Sequence, residues 1–307
     1  MTSAVQGDRL VLDELQYLLP RRSRLRGLLR LALNNPVGVV AAVMLAAMAL
    51  AALFADQVAP YSPTADVSLA PGLSGPSADN WLGVDKIGRD MLSRLIHGAR
   101  ISLGVSFAAV GAGTLIGSAI GMLSGFVGGG FDLIAQRFMD MLMAIPAFIL
   151  ALVIVASFGN GSNNAMIAIA IVLIPTNARV MRSVVLGIKA RMYVESARAS
   201  GASWRRVLMR HILPNALDEI LILASVALGA AVIIEASLSF LGLGVQPPTP
   251  SWGRMLAEGR GTLAAAPHLV WAPSAAIALT VLTVTMIGDT LRDILDPKVR
   301  GGRSRLG

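Results

Sequence analysis

The fold class predicted by this sequence is all-α: a polytopic membrane protein with six transmembrane helices. Three observations carry the prediction. The chain has 307 residues, of which 55% are hydrophobic and only 14% charged, with a mean hydropathy of +0.68. A soluble domain carries about 25% charged residues. Long uncharged runs recur along the chain, each near the ~20 residues a helix needs to cross the hydrocarbon core. Basic residues are concentrated in alternate connecting segments.

The runs follow in order. Pro36–Phe54 contains no charge and is the first span. Its apolar length of 19 residues exceeds the roughly 7–15 of a signal-peptide core, and no A-x-A site follows closely, so it reads as a retained helix. Ile101–Val127 is the second span. Met141–Phe158, interrupted by Pro146, is the third, and Ala165–Val180 the fourth, apolar as far as Pro175 and followed by Thr176 and Asn177. Leu217–Leu243, with Glu235 inside it, is the fifth, and Leu269–Gly288 the sixth.

Lys and Arg set the orientation. With the N-terminus cytoplasmic, twenty basic residues lie inside. Only six lie outside: Lys86, Arg89, Arg94, Arg100, Arg254 and Arg260. Both termini are therefore expected in the cytoplasm, and the net charge of +8 follows from topology without nucleic acid as a partner. Cysteine is absent, which removes disulfides and thiolate sites. His97, His211 and His268 have no metal-ligand spacing, so no metal site is expected.

The connections divide the chain into a cytoplasmic segment 1–35, a first transmembrane helix 36–54, an extracytoplasmic loop 55–100, a five-helix core 101–291 and a cytoplasmic tail 292–307. The loop 55–100 is rich in Pro, Gly, Ser and Asp and predicts irregular order or order imposed by partners. A second outside loop, 244–267, is stiffened by Pro247, Pro248 and Pro250. The inside connection near 181–215 is different in kind. Trp204, Val207, Leu208 and His211 or Ile212 recur at helical intervals, and Gly201 separates the helix-like pieces Tyr193–Ala199 and Trp204–His211. A glycine permits the sharp turn between them. Such an amphipathic helix–turn–helix must rest on lipid headgroups or on a soluble partner, and periodicity does not choose between these.

Gly113, Gly117, Gly121 and Gly125 recur every four residues on the second span and make one face bare, suited to close helix packing or to a moving seam. Ionisable groups within spans are functional candidates. Glu235 either lines a translocation path or caps a neighbouring helix. Pro175 and Asn177 make the inner half of the fourth span kinked and polar, as a water-filled path requires, or kinked alone. Asp140 and Arg137 are placed to pair along one helix face. Asp289, Arg292, Asp293 and Asp296 follow the sixth span and are expected to engage in intracellular ion pairing.

The stretch Glu195-Ser196-Ala197, then Gly201, then Ile212-Leu213-Pro214, resembles the EAA loop of bacterial ABC importer permeases, with Ser196 in place of the middle alanine. The segments LGVDKIGRDMLSRLIHGARISL (82–103), EASLSFLGLGVQPPTPSWGRML (235–256) and GDTLRDILDPKVR (288–300) resemble the C-type permease subunits of dipeptide and oligopeptide importers. The resemblance covers roughly residues 25–300. It implies the type I ABC importer permease (MetI-like) fold in a bacterial inner membrane. It implies a coupling loop at 188–214, with Glu195, Ser196, Ala197, Arg198, Gly201, Leu213 and Pro214 docking on an ATPase. The implied partners are a second homologous permease, two ATP-binding cassette subunits, an extracytoplasmic solute-binding protein and membrane lipid. The implied cargo is a dipeptide or oligopeptide, with a nickel complex, haem or glutathione as alternatives.

The chain itself is not expected to be an enzyme or to hold a cofactor. Gly83 and Gly88 have the spacing of a phosphate-binding loop, but the Lys and Ser/Thr that hold phosphate and Mg²⁺ do not follow. ATP and Mg²⁺ are therefore expected in partner subunits. H-E-x-x-H and G-x-S-x-G are both absent. An ion-coupled secondary transporter is the rival from another class. It calls for mid-membrane carboxylates and inverted repeats, which the sequence does not display clearly, and leaves the helical inside loop without a purpose.

Overall fold

The computed structural model describes residues 35–64 and 71–295. It separates into two units, residues 1–40 and 41–307. In the first unit the description is limited to Asn35–Val40, where the first helix begins. Among the described residues every regular element is helical, and an isolated bridge joins Val84 to Asp90.

The elements are α1 (Pro36–Leu53), α2 (Ala55–Val58), α3 (Met91–Val127), α4 (Gly129–Met143), α5 (Ala147–Phe158), α6 (Ser162–Lys189), α7 (Met192–Ala199), α8 (Trp204–Val207), α9 (Leu213–Phe240), α10 (Trp252–Gly259) and α11 (His268–Leu295). Five helical runs are long and apolar enough to cross a membrane: α1, α3, α6, the run Trp204–Phe240 and α11. The pair α4 and α5 supplies a sixth only as a broken span, because the two meet at an angle of 89°.

This break revises the third span. Met141–Phe158 is not one kinked helix. Pro146 cannot donate to a carbonyl four residues back and ends one helix where the next begins. The apolar part is α5, only 12 residues long.

The second span is also longer than expected. It starts at Met91, so the last ten residues of the expected outside loop are helical. Arg94, His97 and Arg100 argue for a loop by charge, but each is partnered. Asp90 caps the helix, accepting from the Ser93 amide and hydroxyl, both at 2.7 Å. Arg100 reaches the end of α1, donating to the Ala52 and Leu53 carbonyls at 2.9 Å.

The core runs along α3 and α6, where Ala109, Val110, Ala168, Ile169 and Leu173 are buried together with Ala151 and Val155 of α5. A second cluster lies at the far end of α3. There Met122 and Phe126 meet Met181, Val185 and Ile188 of α6, Val194 of α7, and Val207, Leu208 and Ile212. Val194 is the buried residue of α7. Sinking it into this cluster contributes about 1.5–3 kcal/mol to holding the short helix in place.

One expected ion pair changes, and a second expectation falls partly outside the described residues. Asp140 pairs with Arg179 of α6 rather than with Arg137 one turn away. Asp289, Arg292 and Asp293 form no ion pair among the described residues, and Asp296 lies outside them.

Candidate functional site

At the end of the molecule that carries α7, the chain turns back between α6 and α9. Lys189, in the last turn of α6, donates to the Phe126 carbonyl at 2.7 Å and closes the C-terminus of α3. The Arg198 guanidinium lies over the Phe126 ring, 5.1 Å from its centroid, with the Lys189 ammonium at 5.8 Å. The foot of α3 is thereby bracketed by two cations, one of them on α7.

The turn after α7 is made at Gly201, whose φ of +79° is in the left-handed region that favours glycine. Its amide donates to the Arg198 carbonyl at 2.9 Å, and the Ala202 amide donates to that of Ala197 at 3.0 Å. A side chain at Gly201 would meet nothing within 4 Å in this chain. Glu195, Ser196, Arg198 and Gly201 are exposed, and Ala197 is half-buried.

The second arm differs from the separate helix expected over Trp204–His211. α8 passes through a π-helical turn, Leu208–Ile212, directly into α9. The cause is local. Pro214 has no N–H to offer, and the Leu213 amide reaches back five residues to Leu208. Trp204–Phe240 is therefore one continuous run of 37 residues. Leu213 packs against the lower core cluster, and Pro214 is exposed. The exposed turn is thus joined on one side to α6 and α3, and on the other it is the foot of a transmembrane helix.

Above this foot the glycines of α3 face α6. A Cβ on Gly113 would come within 2.7 Å of the Ala170 carbonyl oxygen, on Gly117 within 2.6 Å of that of Ile174, and on Gly125 within 2.8 Å of that of Arg182. At Gly121 it would fall on the Ala178 carbonyl. Both sets advance by four residues in the same chain direction, so two parallel helices meet backbone to backbone along the i±4 rows.

Asn177 lies in this seam, 3% exposed, and donates to the Thr114 hydroxyl at 3.3 Å. Pro175 is buried as well. The structure therefore places neither on an open path: Asn177 finds its partner on α3, and that hydrogen bond compensates its burial. Below the seam, Arg182 makes a two-pronged contact with Asp132 of α4, both arms at 2.6 Å. Ser124 of α3 donates to the same carboxylate and accepts from Gln136 at 3.1 Å. Sequence reading missed this knot because its members are spread over three helices.

Glu235 is 1% exposed. Its Oε1 accepts from Ser239 one turn later at 2.8 Å, while Oε2 has no hydrogen-bond partner among the described residues. The next residue, Ala236, carries α10: a Cβ on Gly253 would collide with the Ala236 carbonyl. The Trp252 amide donates to Ser102 of α3 at 3.2 Å. Glu235 thus sits where α9, α10 and α3 join, inside packed protein rather than on a free surface.

At the opposite end from α7, residues 83–90 form a tight turn with Gly83 and Gly88 at positive φ. It is folded around Asp85. That carboxylate accepts from the Ile87 and Arg89 amides at 3.0 Å, from Arg89 Nε at 2.6 Å and from Arg94. Burial alone would raise the Asp85 pKa. The Arg89 amide and the Arg94 and Arg89 charges outweigh it, so the carboxyl is held below its usual range. Glu258 of α10 completes the group, accepting from Arg94 at 2.8 Å, Arg254 at 3.2 Å and Arg89 at 3.4 Å.

Comparison with known proteins follows this architecture. Residues 117–301 match the family described as binding-protein-dependent transport system inner membrane component. Residues 23–76 match the N-terminal TM domain of oligopeptide transport permease C. The chain is 42% identical over 268 residues to a glutathione transport system permease protein GsiD of Pectobacterium atrosepticum, covering 87% of this chain and 89% of the relative. It is 43% identical over 265 residues to a protein of the same description from Escherichia coli O1:K1, covering 86% and 88%. In fold it matches a chain of the MetNI methionine ABC transporter, captured in inward-facing conformations. The TM-score is 0.57 at 19% identity, over 67% of this chain and 98% of the other. The chain belongs to the binding-protein-dependent transport inner-membrane components: it is a membrane-embedded permease subunit of an ABC importer of the oligopeptide type, not an enzyme, in a family whose ATP is hydrolysed by separate subunits.

Proposed function

We propose that this subunit forms half of the translocation path for small peptides, glutathione-like tripeptides included, and couples that path to an ATPase through residues 192–214. The substrate class is supported by the names of the relatives, glutathione transport permeases, and by the oligopeptide-permease match at the N-terminus. The observation that carries the coupling is the continuity of Trp204–Phe240: a push on the exposed turn at Gly201 is a push on the base of a transmembrane helix.

Glu195, Ser196, Ala197, Arg198 and Gly201 form the docking surface in this reading, and Leu213 and Pro214 join it to α9. The N- and C-termini are cytoplasmic, by the basic-residue split. A second homologous permease, two ATP-binding cassette subunits and a solute-binding protein complete the complex, and ATP and Mg²⁺ reside in the cassette subunits. Closure of the ATPase pair moves α7 and the foot of α9 together, and the glycine seam lets α3 and α6 shift against each other.

The test is reconstitution of the four membrane-associated chains with the binding protein in proteoliposomes. ATP-dependent uptake of labelled glutathione, competed by di- and tripeptides, is expected. ATP-dependent uptake of a nickel complex or haem, with no peptide competition, would contradict the substrate class.

A further inference from the structure

Lys and Arg are scarce on the outer side of membrane proteins, and this chain keeps six there in the orientation proposed above. Five of the six converge. Asp85, Lys86, Arg89, Arg94 and Glu258 line a hollow of about 190 Å³. Lys86, Arg254, Glu258 and Arg260 line an adjoining one of about 470 Å³, at the top of α9 beside Phe240 and Leu241. Five cations here face two carboxylates. Asp85 is consumed by Arg89 and Arg94, and Glu258 by Arg94, Arg89 and Arg254.

Lys86 and Arg260 are exposed and have no carboxylate within ion-pair distance among the described residues. Arg260 is held over the Phe240 ring, its guanidinium 5.8 Å from the centroid. Deeper in, Arg94 is 1% exposed, and its Nε has no hydrogen-bond partner among the described residues. A fold that needed only to close this corner would balance its charges. This one leaves a surplus of positive charge on its rim, with Ile87 and Leu241 exposed beside it by 54% and 51%.

We infer that this cleft is the docking site for an acidic patch on the extracytoplasmic binding protein, with Lys86 and Arg260 receiving its carboxylates. Exposed apolar side chains flanking arginine are the composition of a protein interface, and uncompensated rim charge steers a charged partner to it. The arginines beneath fix the geometry: Arg89 and Arg94 tie Asp85 of the turn 83–90 to Glu258 of α10, Arg254 steadies Glu258 from one turn earlier on α10, and the two free cations are held at one mouth. The inference rests on the orientation and on the importer reading given above.

The test uses the full complex in nanodiscs and the binding protein that stimulates its ATPase activity. The double variant Lys86→Glu with Arg260→Glu changes exposed side chains only, so basal ATPase activity without the binding protein should be unchanged. Its Kd for the binding protein should rise about tenfold or more, and the salt dependence of docking should fall. Replacing acidic residues of the binding protein with Lys should restore affinity to the variant. Unaltered affinity and salt dependence would overturn the inference. So would a loss seen only in vesicles with anionic lipid, which would make the cleft a headgroup site. Intact docking with lost preference for free-acid over amidated peptide would overturn it too, because the cleft would then read the substrate. A wild-type complex that no binding protein stimulates would overturn the importer reading and this inference with it.

Discussion

Gly121 of α3 and Ala178 of α6 touch through their backbones, so closely that a methyl group on Gly121 would fall on the Ala178 carbonyl. The contact recurs one turn away in each direction, at Gly117 with Ile174 and at Gly125 with Arg182. Two helices this close have no room for a side chain, and the arrangement makes a sharp prediction about where alanine is tolerated.

Gly121→Ala should destabilise the protein by about 1–3 kcal/mol, the usual cost of overfilling a packed site. Gly111→Ala, on the same helix but with nothing within 4 Å of its new methyl, should be neutral or stabilising by up to about 1 kcal/mol, since alanine is the better helix former. Thermal unfolding of the two variants in detergent checks the pair. Equal effects would remove the seam from the account.

Arg94→Met should be far more damaging than the same change at an exposed arginine. Arg94 is buried and bonds both the buried Asp85 and Glu258; its loss leaves Asp85 with Arg89 and the turn's amides but removes a charged bond to each carboxylate, at about 1.5–3 kcal/mol. The yield of folded protein and its melting temperature should both fall. Arg254→Met leaves Glu258 with two arginines and should cost less.

The same cluster gives a pH dependence whose sign is fixed. The folded-state pKa of Asp85 lies below its ordinary 3.8. Its ionised form therefore stabilises the fold above that value, and the stabilisation is lost as the pH falls through the lower, folded-state pKa. Melting temperature should decline on the acid side of pH 4 (about the ordinary carboxylate range), and Asp85→Asn should flatten that decline while lowering stability at neutral pH. An unchanged acid limb in Asp85→Asn would show that other carboxylates govern it.

How much of this was legible beforehand depends on whether a residue's role is local. The apolar runs and the four-residue glycine interval are properties of one helix each, so the class of fold, the spans at α1 and α11 and the bare face of α3 could be read directly. The start of α3 could not, because Arg94 and Arg100 look like loop residues until their partners, Asp85, Glu258 and the end of α1, are brought in from elsewhere. Asn177 looked like a polar wall of a path for the same reason: its partner Thr114 is 63 residues away. The break at Pro146 was visible as a proline. Its 89° consequence was not, since a span can also kink gently and continue. Glu235 was visible as a charge in an apolar run, but only the packing of Gly253 on Ala236 shows that it lies within a joint.

The central claim is that the turn at Gly201 transmits movement from an ATPase to the foot of α9. Gly201→Asp tests it most directly, because the chain itself has room for the new side chain and loses only the ease of a left-handed φ, about 1–2 kcal/mol. The measurement is substrate-stimulated ATPase activity and uptake of the purified complex, together with the amount of ATPase subunit that remains bound. The account predicts normal membrane insertion and pairing with the second permease, with ATPase binding, stimulated activity and uptake all falling together; Glu195→Ala should do the same less severely. Full ATPase binding and normal transport in Gly201→Asp would contradict it.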